Sequence, residues 1–188
     1  MIYTFYNKKG GTGKTTLSFN LAKDKDYIWL SNDDSVIPDI YEKGQILDKI
    51  KVYKDKNIVY DLGGYIDNQC IDLFKASDKI FIPTLLDVNS IKRTINTILE
   101  IDKYCQNIII IINKYTTKNI GKFKQSIDIL KGFDKDILYL KESEAYVNSI
   151  HTGDSIKEQY KKSNLTKHTY KKVYKEYKIV LSHIKGEN

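Results

Sequence analysis

Residues Asn7-Lys8-Lys9-Gly10-Gly11-Thr12-Gly13-Lys14-Thr15-Thr16, placed directly after the apolar run Ile2-Tyr3-Thr4-Phe5-Tyr6, constrain this chain more than any other stretch. The β-branched and aromatic run reads as a buried strand and Thr15 to Ala22 as the start of a helix, so the glycines fall in a strand-to-helix turn. A phosphate chain needs several backbone N–H donors aimed at one point, and glycine is the residue that adopts the required positive-φ turns without steric penalty. The helix behind the turn adds its unpaired N–H groups and the positive end of its dipole. In such a loop Gly10, Gly11, Thr12 and Gly13 cradle the phosphates, and Lys14 reaches the β- and γ-phosphates. The Thr15 hydroxyl ligates Mg²⁺ and Thr16 contacts the α-phosphate.

The general motif carries a glycine five positions before Gly13, where this chain has Lys8. A lysine directly before the Gly-Gly pair, as in Lys9-Gly10-Gly11-Thr12-Gly13-Lys14-Thr15, resembles the deviant Walker A box of the ParA/MinD ATPases. That resemblance implies that Lys9 crosses a dimer interface to the partner's nucleotide and takes part in catalysis with Lys14. It further implies an ATP-sandwich homodimer, nonspecific DNA binding, and a ParB-like DNA-bound activator that stimulates hydrolysis of ATP to ADP and phosphate. Chain length and the early strand look like the small plasmid-type partition proteins, cytoplasmic and nucleoid-associated.

Two further strand ends carry acids. Tyr27-Ile28-Trp29-Leu30 reads as a strand running into Ser31-Asn32-Asp33-Asp34-Ser35. In ParA-like ATPases this strand ends in Asp-x-Asp, the first near the metal and the second orienting the attacking water. Here those positions are Ser31 and Asp33, so Asp33 is the candidate for holding water in line with the γ-phosphate, with Asp34 the alternative and an Asx turn the structural reading. Ile58-Val59-Tyr60-Asp61 reads as a Walker B strand, in which Asp61 holds Mg²⁺ through a water and Gly63 or Gly64 senses the γ-phosphate. Ile108 to Ile112 delivers Asn113-Lys114-Tyr115-Thr116 to the position that reads the base. GTPases of related topology use Asn-Lys-x-Asp there. Thr116 in place of that Asp argues for adenine, with Asn113 pairing bidentately to its edge.

Strand and helix patterns alternate along the chain, which predicts a P-loop α/β fold: a doubly wound, mostly parallel sheet with helices on both faces, formed by residues 1–188 as one domain. Ile46, Leu47 and Ile50 permit an amphipathic helix, and Lys79 to Pro83 reads as a strand. Val88, Ile91, Ile95, Ile98 and Leu99 read as a helix behind the cap Asp87, on which Arg93 reads as a solvated residue, with an arginine finger the alternative. Ile120 to Leu130 reads as another helix and Ile137 to Leu140 as a strand. With a strand expected at Ile2, neither a signal peptide nor an N-terminal helix-turn-helix is expected, and the aliphatic run Ile108 to Ile112 is too short to span a bilayer.

Basic charge concentrates at the C-terminal end: residues 157–188 hold nine of the 31 Lys and Arg and three of the 24 Asp and Glu, or +6 of the net +7. An amphipathic helix over about 166–184 carries Lys167, Lys171, Lys172, Lys175 and Lys178, with Lys161 and Lys162 upstream, a patch suited to a nucleic-acid backbone or an anionic membrane. A MinD-like membrane positioner is the nearest rival, but this helix is tyrosine-rich, which favours DNA. Bacterial tyrosine kinases share the fold and carry tyrosine clusters like Tyr160, Tyr170, Tyr174 and Tyr177, yet they lack the lysine before the Gly-Gly pair. Cys70 and Cys105 match no disulfide, zinc or iron–sulfur pattern.

Overall fold

The computed structural model describes residues 1–64 and 68–184. In chain order the elements are β1 (Ile2–Phe5), α1 (Lys14–Lys25), β2 (Ile28–Ser31), α2 (Ile37–Ile40), β3 (Gly44–Ile46) and β4 (Ile58–Asp61). Then come α3 (Asn68–Ala76), β5 (Lys79–Thr84), α4 (Val88–Ile101), β6 (Ile108–Tyr115), α5 (Thr117–Lys122), α6 (Lys124–Lys131) and β7 (Asp136–Lys141). The described chain closes with α7 (Glu144–Thr152), α8 (Ile156–Lys161), α9 (Asn164–Thr169) and α10 (Lys171–Ser182).

The strands form one seven-stranded sheet in the order β3-β2-β4-β1-β5-β6-β7, every pairing parallel. Side chains alternate between its faces, as the two-residue period of a strand requires. Tyr3, Phe5, Val59, Phe81, Ile109 and Ile111 enter one core with α1, α7, α8 and α10. Ile2, Tyr6, Ile58, Tyr60, Ile80, Ile82, Ile108, Ile110 and Ile112 enter the other with α3, α4 and α6. Both faces are covered, which is why these strands read as unbroken apolar runs. Each fully buried isoleucine or phenylalanine contributes roughly 1.5–3 kcal/mol.

Topology fixes where a ligand can sit. After β1 the chain moves to one side of the sheet, and after β4 to the other, although β1 and β4 are neighbours in register Phe5↔Asp61. A crevice opens outside the carboxyl ends of two such strands, the usual ligand position in open α/β sheets.

Four local expectations change. Ile46, Leu47 and Ile50 form no helix; Gly44–Ile46 is the edge strand β3, paired Trp29↔Gly44 to Ser31↔Ile46. Val88 and Leu99 share the helical period of α4 yet stand exposed, at 72% and 62%, whereas Ile91 and Ile98 carry the packing. The helix expected over Ile120 to Leu130 is two helices meeting at Phe123. Likewise the C-terminal helix is α9 and α10, broken at Tyr170 (φ −97, ψ 7), whose hydroxyl accepts from Asn148 on α7. Its apolar face packs as expected, with Val173, Tyr177, Val180 and Ile184 buried.

Candidate nucleotide site

The turn after β1 is held from below by a residue that sequence reasoning passed over. Asn7 is fully buried; its amide donates to the Pro83 carbonyl at 2.8 Å and to Thr94 Oγ1 at 2.9 Å, and its Oδ1 accepts the Lys9 N–H at 2.9 Å. These bonds pin the start of the loop to β5 and α4. A buried amide must find partners or destabilise the fold, and a polar residue at the end of an apolar strand was its one visible signal.

Behind the loop, α1 starts at Gly13 with no side-chain cap and no acid in its first turn. Its leading N–H groups therefore face the crevice with the positive dipole end uncompensated. Gly11 (φ +74) and Gly13 (φ +95) both adopt the left-handed region, and a Cβ on Gly13 would lie 2.3 Å from Asn113 Nδ2. Gly13 is thus required twice, by conformation and by space.

A cavity of about 360 Å³ at this crevice collects Gly10, Gly11, Gly13, Lys14, Thr15, Thr16, Asp33, Asp61, Gly63 and Lys114. Asp33 reaches it and Asp34 does not border it. Thr12 is buried behind the loop, its carbonyl accepting from Asn113 Nδ2 at 2.9 Å. Burial lowers the pKa of Lys14 against the opposing pull of Asp61 and Asp33. A cation stripped of water this way gains from an incoming anion.

Asp61, 2% exposed, accepts the Thr15 hydroxyl on Oδ2 at 2.6 Å, while its Oδ1 is buried with no partner. Burial raises its pKa to about 6, opposed by the Thr15 bond and the Lys14 charge. An orphaned carboxylate oxygen beside a hydroxyl is the donor set of a hard cation. Thr15 and Asp61 therefore fit a Mg²⁺ ion.

The turn after β2 is braced on itself: Ser31 Oγ accepts the Asp33 N–H at 3.0 Å, and Asp33 Oδ1 accepts from Asp34 N at 3.1 Å. Gly63 N–H donates to Asn32 Oδ1 at 2.8 Å. Gly64 lies outside the cavity, against the Lys8 backbone. Lys9 folds its ammonium onto the Gly10 carbonyl at 3.1 Å, and Lys8 pairs with Glu100 on α4.

A second, largely apolar hollow of about 270 Å³ adjoins the first and shares Gly13, Thr16 and Lys114 with it. Asn113 and the α7 residues Val147, Ile150 and His151 border it. Both ends of the Asn113 amide are bonded within the protein, to Thr12 O and from the Lys114 N–H at 2.9 Å. Lys114 holds φ +52, unusual for a residue with a Cβ. Lys114, placed at the site by the sequence but given no role there, stands between the two hollows.

The seven candidate DNA-contact lysines all lie on α8–α10 or the link between them. Lys161, Lys167, Lys171, Lys172, Lys175 and Lys178 are exposed, and Lys162 pairs with Asp154 at 2.9 Å. α10 runs down the sheet: Glu176 bonds the Lys141 N–H at the end of β7, while His183 lies beside Asp136 at its start. Tyr177 is fully buried, and Tyr160 stacks on Tyr174 at 4.2 Å. No described helix is long and apolar enough to cross a membrane.

No protein-family model matches the chain, and no curated sequence does. Solved structures match along nearly the whole length. The ATP complex of a Cyanothece McdA variant is 16% identical at a TM-score of 0.66, covering 100% of this chain and 98% of that one. A plasmid partition-type protein of Borrelia burgdorferi B31 bound to AMPPNP is 18% identical at 0.64, covering 97% and 99%. The MinD cell division protein of Aquifex aeolicus is 16% identical at 0.60, covering 99% and 98%. With an all-parallel seven-stranded sheet and a glycine loop between β1 and α1, this chain has the P-loop fold of the ParA/MinD ATPases.

Proposed function

We propose that this protein is an ATP-dependent switch of the ParA/MinD type that hydrolyses ATP to ADP and phosphate. The observation that carries the reading is the convergence of Lys14, the Thr15–Asp61 pair and Asp33 on one cavity at the N-terminus of an uncapped helix. The triphosphate tail takes the N–H groups of Gly10 to Thr16, with Lys14 on its outer phosphates. Thr15 and Asp61 would hold Mg²⁺, which when bound neutralises charge on the β- and γ-phosphate oxygens. Asp33 accepts a hydrogen bond from a water that attacks the γ-phosphorus as the bond to the bridging oxygen breaks and ADP leaves. The base enters the apolar hollow beside Asn113, whose described lining carries no carboxylate for guanine.

Lys9 lies at the rim of the same loop, and in the proposed dimer it turns from Gly10 to the partner's nucleotide. The exposed lysines of α8 to α10 supply a surface for duplex phosphates. Lipid insertion is the weaker alternative because the apolar side of α10 is packed on β7. Burial of Tyr177 likewise opposes a tyrosine-phosphorylated tail. ATPase turnover measured with and without DNA tests the reading: phosphate release that depends on Lys14 is expected, and release equal in Lys14→Ala would overturn it.

A further inference from the structure

Asn32 lies beyond the last ladder pair of β2 and β4, Ser31↔Asp61, and has no part in the assignment above. Its Oδ1 accepts the Gly63 N–H at 2.8 Å, tying the turn after β2 to the turn after β4 at the edge of the phosphate cavity. The two turns touch: a Cβ on Gly63 would lie 3.6 Å from Asn32 Oδ1, from Asp33 Cβ and from Asp33 Oδ2. Gly63 borders the same cavity as Lys14, Asp33 and Asp61, which brings its backbone to the edge of the space an anion would take.

A neutral amide oxygen in an exposed bond is a weaker acceptor than a charged phosphate oxygen. On the nucleotide reading, a diphosphate would end near Lys14, and a third phosphoryl group would enter the part of the cavity that Asp33, Asp61 and Gly63 border. We propose that Asn32 sets the discrimination between nucleoside triphosphate and diphosphate by holding the Gly63 N–H until a terminal phosphate competes for it. Asn32 is thus a specificity-determining residue that acts through Gly63, and the inference rests on the nucleotide reading above.

Two substitutions move the ratio of ADP to AMPPNP dissociation constants in opposite directions. Asn32→Ala frees the Gly63 N–H, so AMPPNP binds roughly threefold to tenfold more tightly while ADP is unchanged. Asn32→Asp offers a charged acceptor that grips the N–H harder and repels the phosphate, so AMPPNP weakens by about tenfold or more relative to ADP. Calorimetric titrations of wild type and both variants, with thermal melts to confirm folding, supply the ratio. In the wild type, the Gly63 amide resonance shifts with AMPPNP and stays with ADP. A ratio unchanged in both variants, or equal weakening of both nucleotides by Asn32→Ala, overturns the inference and leaves nucleotide binding standing. Wild type that binds neither nucleotide removes both.

Discussion

The Thr15 hydroxyl donates to Asp61 Oδ2 at 2.6 Å, and the other oxygen of that carboxylate is buried without a partner. The Thr15 bond and the Lys14 charge offset the desolvation of this carboxylate only in part. A cation at the open oxygen would supply the rest. Asp61→Asn removes the buried charge while keeping the shape. It is expected to melt at or above the wild-type temperature yet to lose the Mg²⁺ dependence of ATP affinity, by about tenfold or more. Thermal melts and titrations with and without Mg²⁺ check both halves; retained Mg²⁺ dependence would remove Asp61 from the ligand set.

Gly13 and Gly10 differ in a way that one pair of variants exposes. Gly13→Ala forces a Cβ to 2.3 Å from Asn113 Nδ2 at φ +95, whereas a Cβ on Gly10 meets nothing within 4 Å. Gly13→Ala is expected to lose about 1–3 kcal/mol of stability or more. Gly10→Ala stays within about 1 kcal/mol. Denaturant melts of the two measure it.

Asp24, at the far end of α1, gives the fold a pH dependence separate from the nucleotide. Burial raises its pKa from 3.8 to about 6, against the Ser155 hydroxyl, the approach of the Tyr177 hydroxyl and the Lys157 charge, and with the Glu158 charge. Asp24 Oδ2 and the Tyr177 hydroxyl are each buried without a hydrogen-bond partner. A folded pKa above the unfolded one means the folded state holds the proton more tightly, so stability falls as pH rises from about 4 through 6. Asp24→Asn should remove the Asp24 share of that fall and leave the share of Asp61, which is raised to about 6 as well, gaining on the order of 1–2 kcal/mol over wild type at pH 7.5 and little at pH 4. Melts at the two pH values check the sign.

Salt dependence tests the lysine surface. Replacing Lys171, Lys175 and Lys178 together with Gln should reduce the slope of log affinity for duplex DNA against log salt by about 0.9 for each phosphate contact removed. An unchanged slope in a fluorescence-anisotropy titration would take those lysines off the DNA.

Much of this molecule was legible in the chain because its strands are buried on both faces and read as apolar runs, and because the glycine loop combines several residue types with one physical reason. β3 was not legible. It is a three-residue edge strand with Ile46 37% exposed, so no buried alternation marks it, and its apolar neighbours mimic a helical period. The break at Tyr170 carries no Gly or Pro, and the Tyr170 hydroxyl bonds Asn148 on α7, a partner no local pattern reveals. Asn7 was missed for the same reason: its bonds to Pro83 and Thr94 span 76 and 87 residues of sequence. Asn113 was found as a site-edge residue, but its amide is bonded to Thr12 and Lys114, which only the folded loop shows.

The most direct test of the account is ATP binding in the presence of Mg²⁺ by wild type, Lys14→Ala and Lys9→Ala, with sedimentation of each saturated protein. Saturable binding by wild type, its loss in Lys14→Ala, and retained binding with loss of the dimer in Lys9→Ala are expected. Equal ATP affinity in all three proteins would contradict the claim that this loop holds the nucleotide.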